Sequence, residues 1–176
     1  MTSVIEQQQT QIPTGAWQAD PVHSSVGFGV KYLGVATFTG ELTNFEATLT
    51  DGELSGSAEV AGIEVKDENL KAHLQSPDFF DAERHPKVTF SGTASGEGRF
   101  DGELTIKGVT QPATLETVVT GPVTDPYGNE RYGLSLTTVV DRTAFGLNWN
   151  APLPGGGFAL ANDVTLKAEL SLVKAA

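Results

Sequence analysis

The sequence predicts an all-β protein with one short helical insert, its antiparallel strands long enough to close as an up-and-down barrel or a two-sheet sandwich. Three observations carry this. Apolar and polar residues alternate with a period of two from near residue 25 to the last residues of the chain, which is the signature of strands with one dry and one wet face. Turn signals fall between the alternating runs, at Asp51-Gly52, Gly96-Glu97-Gly98 and Asp125-Pro126-Tyr127-Gly128-Asn129. The 176 residues include 20 Gly and 9 Phe, and few stretches lack Gly or Pro, as in a β-protein rich in turns.

The elements follow in order. Residues 1–16 read as a polar tail, and residues 17–176 as a single domain. Val26, Phe28, Val30 and Tyr32 alternate with Ser25, Gly27, Gly29 and Lys31. The pattern returns as Phe45, Ala47, Leu49; as Leu54, Ala58, Val60; as Val88, Phe90; as Phe100, Leu104, Ile106; and as Tyr132, Leu134, Leu136 with Thr138 and Val140. The last strand is the cleanest, with Val164, Leu166, Ala168, Leu170 and Leu172 on one face and Thr165, Lys167, Glu169, Ser171 and Val173 on the other. One-sided strands of this kind belong to antiparallel sheets, because parallel sheets buried on both faces read as continuous apolar runs. There are roughly eight or nine such strands, several of them about ten residues or ~34 Å long. A closed barrel of about eight strands is filled by its own side chains or holds one small ligand. Gly40, Gly56, Ala58 and Gly102 lie in or near the dry register and favour the second outcome, although a strand Gly more often marks a bulge or bend.

Between Asp67 and Arg84 the alternation stops. Leu70 and Leu74 stand at helical spacing among good helix formers. Ser76-Pro77-Asp78 then has the form of a second helix start, with Ser76 as N-cap, and Pro86 forbids continuation. Two short helices or helical turns are expected here, placing Phe79 and Phe80 as a plug at one end of a barrel, by core packing or by ligand contact.

The chain holds no Cys, which excludes thiolate catalysis, iron–sulfur clusters, Cys-type zinc sites and disulfides. Its formal net charge of −11 would repel a phosphate backbone, so nucleic acid is not an expected partner. The first Lys or Arg is Lys31, and no positive region precedes an apolar run, so an export signal is not expected and the cytoplasm is the expected compartment. Residues 143–162 carry no charge but hold two Pro, a Gly triplet and three Asn, which describes a loop and not a membrane span.

Catalytic signatures are lacking. An acid–base or nucleophilic enzyme would draw on His23, His73 or His85 with a carboxylate or Ser, but none of these sits in a local motif. Gly92-Thr93-Ala94-Ser95-Gly96 has its Ser out of place for a nucleophile elbow, and Gly155-Gly156-Gly157 lacks the Lys of a phosphate-binding loop and reads as a mobile loop. His73 and His85 flank Asp78 and Asp81 without metal-ligand spacing. No metal, no cofactor and no enzymatic activity are expected; the alternative reading is an enzyme of unknown reaction using one of these His with a carboxylate.

Four segments together resemble the YceI-like family of polyisoprenoid-binding, lipocalin-like proteins. They are WQADPVHSSVGFGVKYLGVATFTGEL from Trp17, HLQSPDFFDAERHPKVTF from His73, GELTIKGVTQPATL from Gly102 and RTAFGL from Arg142. The resemblance implies an extended antiparallel eight-stranded lipocalin-like β-barrel, often a homodimer, that sequesters or carries an amphiphile with a long apolar tail, a polyisoprenoid or a fatty-acyl-type lipid. Two departures stand out. Where the family commonly has Arg-Asp before the His-Leu of the helix, this chain has Leu70-Lys71 followed by Ala72, and many relatives carry a signal peptide that is not found here.

Burial of a tail suits such an interior: at ~0.8 kcal/mol per CH₂, a ten-carbon tail contributes roughly 8 kcal/mol before association costs. The dry faces supply the expected lining, namely Val26, Phe28, Val30, Phe45, Phe90, Leu104, Ile106, Leu134, Leu136, Leu166 and Leu170. Phe79, Phe80, Phe145, Trp149 and Phe158 are expected near an end or lid, and Lys31, His73 and Arg142 are the candidates for holding an anionic head group.

Overall fold

In the computed structural model, residues 11–96 and 98–175 are described. The first ten residues of the expected tail and Glu97 of one expected turn lie outside them. Eleven strands occur among the described residues: β1 (Ala16–Ala19), β2 (Ser25–Tyr32), β3 (Ala36–Leu42), β4 (Phe45–Thr50), β5 (Glu53–Glu59), β6 (Ile63–Glu64), β7 (Lys87–Ala94), β8 (Arg99–Ile106), β9 (Val109–Thr124), β10 (Glu130–Asp141) and β11 (Leu160–Lys174). One α-helix, α1 (Glu68–Gln75), stands between β6 and β7.

The strands run β1-β4-β5-β7-β8-β9-β10-β11, and β1 pairs back onto β11, closing an eight-stranded antiparallel barrel. β2, β3 and β6 extend the same sheet from the other part of β11. β11 is the seam: Leu172–Lys174 pair with β1, while Glu169 back to Leu160 pair with β2. β1 and β2 are therefore one long strand, interrupted where residues 20–24 loop out. That loop is stitched to β11 at both ends, the Asp20 N–H donating to the Ser171 carbonyl and the Ser24 hydroxyl accepting from the Ser171 N–H. β3 with β4, and β5 with β6, are likewise broken strands, the latter at a 3₁₀ turn over Val60–Gly62. Counted this way, the barrel has eight strands, within the expected eight or nine; the seven alternating runs fall on seven of them, β9 carried no run, and Val60 lies in the turn and not in a strand.

The hairpins form where the sequence placed them. Asp51 and Gly52 both take positive φ (46° and 85°), as the tight turn between β4 and β5 requires. The Asp125 carboxylate accepts from the Tyr127 and Asn129 N–H groups and so shapes the β9–β10 turn.

Inward-facing side chains form two clusters at opposite ends of the barrel. Trp17, Leu49, Leu54, Phe100, Leu134 and Leu172 fill one end. Leu42, Ile63, Leu74, Phe79, Ile106 and Phe145 gather at the other, beneath α1. The small residues divide. A side chain at Gly40 would strike the Phe28 ring, and one at Gly102 the Ser91 carbonyl, so these two admit neighbours and leave no space. Gly56 and Ala58 do border empty volume.

α1 starts at Asp67, whose Oδ1 accepts from the Asn69 and Leu70 N–H groups. Of the two forms expected after α1, a helix or a helical turn, the turn is the one found. Ser76 closes α1 at its C-terminal end, its N–H donating to the His73 carbonyl and its hydroxyl donating to the same oxygen. The Phe80 and Ala82 N–H groups are spent on the Leu74 and Gln75 carbonyls, and Asp81 takes φ 51°, which a continuing right-handed helix does not allow. Turns, not a helix, present Phe79 and Phe80 to the barrel.

Candidate functional site

Two adjoining cavities occupy the interior. The larger, about 600 Å³, lies at the α1 end and is bordered by Phe28 and Val30 of β2, Leu70, His73 and Leu74 of α1, Phe79 and Phe80 of the turn, Ile106 of β8, Arg142, Phe145 and Trp149. The smaller, about 150 Å³, lies in mid-barrel between Val26, Phe45, Ala58, Phe90, Leu104, Leu136 and Leu170. Leu42, Val88 and Leu166 border both. The wall of the larger cavity is hydrocarbon and aromatic except at Tyr32, Thr37, Asp67, His73 and Arg142.

Rings line one side of the larger cavity. His73 meets Phe79 edge-on at 4.9 Å and Trp149 at 4.6 Å between centroids, and Phe79 lies 5.5 Å from Trp149. His73 is oriented by a 3.0 Å hydrogen bond between its Nε2 and the Asp78 carboxylate. Lys107 donates to the Pro77 carbonyl at 2.6 Å and fastens the turn to the β8–β9 corner.

Arg142 and Phe145 reach the interior through a 3₁₀ turn, Arg142–Phe145, that continues β10. The Asp141 carboxylate caps the turn by accepting from the Thr143 N–H and hydroxyl, and Gly146 ends it in the left-handed region (φ 83°). The charge-free stretch beyond it is a loop, as expected. Asn150 pins that loop to β11, donating to the Leu160 carbonyl and accepting from the Leu160 N–H, and a tight hairpin pairs Pro152 with Phe158 around the glycine triplet. No helix among the described residues is long and apolar enough to cross a membrane.

Arg142 is only 6% exposed. Its Nε donates to the Ala161 carbonyl, and its Nη1 to the carbonyls of Leu147 and Trp149. Its Nη2 is buried and has no partner among the described residues. Burial pulls the Arg142 pKa below the usual arginine value while the neighbouring Asp141 charge opposes it. Even so, a guanidinium keeps its proton in a protein.

The expected lining residues are placed as follows. Val26, Phe45, Phe90, Leu104, Leu136 and Leu170 border the mid-barrel cavity, and Leu166 borders both. Phe28, Val30, Phe79, Phe80, Ile106, Phe145 and Trp149 border the larger one. Three residues fall elsewhere. Leu134, 1% exposed, is locked into the Trp17 cluster; Phe158, 64% exposed, sits on the hairpin tip; and Lys31 alternates onto the outer face of β2. Leu42, Val88 and Leu147 also line the interior; Val88 stood in the alternating run Val88, Phe90, and Phe38, Gly40, Leu42 carry the same pattern. Leu147 carried no such signal.

The three His have separate surroundings. His23 pairs with Asp20 at 2.7 Å beside Arg131, His73 lines the larger cavity, and the His85 ring packs on Gly108. The hydrogen bond from His23, then that from Arg131, holds the Asp20 carboxyl down to about 2. No three His, Asp or Glu side chains converge as metal ligands among the described residues.

A closed, lipocalin-like antiparallel barrel with an apolar interior is thus the class of protein defined by fold and site. The YceI-like domain model matches residues 17–172, and the chain belongs to that family. A UPF0312 protein of Staphylococcus aureus strain USA300 is 30% identical over 158 residues, covering 85% of this chain and 92% of the relative. Among solved structures, BcnA of Burkholderia cenocepacia superposes with a TM-score of 0.73 at 21% identity, over 87% of this chain and 98% of that one. The Campylobacter jejuni YceI protein gives 0.68 at 24% identity, over 95% and 100%. A polyisoprenoid binding domain from Saccharophagus degradans gives 0.72 at 11% identity, over 91% and 98%.

Proposed function

We propose that this protein is a non-catalytic container that takes up the tail of a long-chain amphiphile, a polyisoprenoid before a fatty-acyl lipid, and sequesters or carries it. The observation that carries the reading is the cavity of about 600 Å³ with its almost wholly apolar wall, adjoining a second cavity deeper in the barrel. That volume lies in the range of small-molecule sites, and such sites need few polar groups. The polyisoprenoid binding domain from Saccharophagus degradans has the same fold, which supports the ligand class. Of the three head-group candidates, His73 and Arg142 border the cavity.

Mass spectrometry of solvent extracts from natively purified protein tests this. The expected result is a stoichiometric apolar molecule. Leu136→Arg, which sets a charge in the mid-barrel wall, is expected to abolish its recovery from protein that remains folded by circular dichroism. A ligand-free protein with no affinity for long-chain probes would overturn the proposal.

A further inference from the structure

Arg142 is a buried cation with unused hydrogen-bonding capacity. Its Nε and Nη1 protons go to three neutral backbone carbonyls, of Ala161, Leu147 and Trp149, which leaves both Nη2 protons without a partner among the described residues. No carboxylate is in contact with it: none of the ion pairs among the described residues includes Arg142, and Asp141 acts on it only through its charge. Asp141, adjacent in sequence, has turned its Oδ1 to Thr143. An unpaired donor in apolar surroundings costs the fold its full desolvation, and an unpaired charge costs more. The group stands on the wall of the larger cavity, whose other polar members are Tyr32, Thr37, Asp67 and His73.

The other two head-group candidates are differently placed. The His73 ring is engaged by Asp78, Phe79 and Trp149. Lys31 sits on the exposed outer face of β2. Resting on the lipid-binding reading above, we infer that Arg142, on the wall of that cavity with its Nη2 unpartnered, anchors the ligand's head, and that the head is an oxyanion, a carboxylate or a phosphate monoester. The tail then runs past Leu166, which borders both cavities, toward mid-barrel. Selectivity is therefore divided: loose for the tail, where each methylene discriminates weakly, and strict for the charge of the head. A charge-assisted bond away from water is what gives the head this leverage.

The test uses delipidated full-length protein and four probes with one shared tail: hexadecanoate, hexadecyl phosphate, hexadecanol and hexadecylammonium. Calorimetric titration is expected to show at least one anion binding about tenfold or more tighter than the alcohol, with the ammonium weakest. If it is the carboxylate alone, or the phosphate alone, the source of the oxyanion is settled as well. Arg142→Gln is expected to bring anion and alcohol within about twofold of each other, while Lys31→Gln preserves the gap. Equal binding of the alcohol and both anions overturns the anchor but leaves the lipid reading standing. A gap that survives Arg142→Gln also overturns it. If no probe binds, the lipid reading falls and the anchor with it. Should Arg142→Gln not fold, the Arg142 Nη–H resonances of the unaltered protein decide: they shift on adding the preferred anion and not the alcohol, and an unshifted signal overturns the assignment.

Discussion

Ala58→Leu separates the two cavities without introducing charge. Ala58 is buried, faces inward on β5 opposite Phe45 and Val88, and borders the mid-barrel cavity of about 150 Å³. Three added carbons at ~0.8 kcal/mol each stabilise by about 2.4 kcal/mol if they enter that space cleanly. Filling the whole volume would give about 3.6 kcal/mol at ~24 cal/mol per Å³, which sets the ceiling. Adjustment of Phe45 and Val88 takes back about 1–3 kcal/mol, so the variant should lie between ~0.6 kcal/mol less and ~1.4 kcal/mol more stable than the parent in urea unfolding. Binding responds differently. Each tail methylene excluded from mid-barrel costs about 0.8 kcal/mol, a factor of about four in affinity. With saturated fatty acids of increasing length competing against a fluorescent acyl probe, the parent's affinity should climb until the tail fills both cavities. The variant should follow the same curve for short chains and level off several carbons earlier. Superimposable length curves would refute the reasoning, because the tail would then not use the mid-barrel space.

Two further outcomes are expected. The Asp20 carboxyl, held at about 2 by His23 and Arg131, binds fewer protons folded than unfolded; its stabilisation is complete above about pH 4 and is lost as pH falls from about 4 toward 2. The difference in thermal midpoint between the parent and Asp20→Asn should therefore shrink over that interval, and a difference constant with pH would remove Asp20 from the acid response. Gly102→Ala places a methyl against the Ser91 carbonyl across the β7–β8 pair and should destabilise by about 1–3 kcal/mol in urea unfolding, whereas Gly128→Ala, whose side chain would meet nothing, should show only the cost of its positive φ.

What the sequence disclosed depended on whether the deciding interaction was local. Period-two alternation is a property of each strand by itself, so the faces of β2, β8, β10 and β11 were readable, and with them most of the wall. The interruption at residues 20–24 was not: Asp20 ties the loop locally to Val22 and His23, but its place in the barrel is fixed through Ser171, far away in sequence. Whether an inward glycine leaves a void depends on its neighbour across the strands: the Phe28 ring occupies the space beside Gly40, while Ala47 beside Gly56 does not reach far enough. Ser76-Pro77-Asp78 carries a helix-start pattern, yet the carbonyls ending α1 claim the N–H groups that a second helix would have used. Arg142 belonged to a recognisable motif, but its unused donors exist only because the loop from Leu147 to Ala161 folds back and supplies three carbonyls instead of a carboxylate.

The β11 seam joins segments of the chain that are remote in sequence, Trp17 lying opposite Lys174 and Phe28 opposite Leu166. Hairpin neighbours zip early in folding, and sequence-distant partners must wait for the rest of the sheet to arrive. The seam is thus the last stitch of the barrel, the one for which the chain itself supplies least encouragement. Val26 on one side of it and Leu166 and Leu170 on the other face the same mid-barrel space. A tail lying there touches both lips at once and acts as a staple across them, so that loading the barrel and finishing its fold become one reinforcing event.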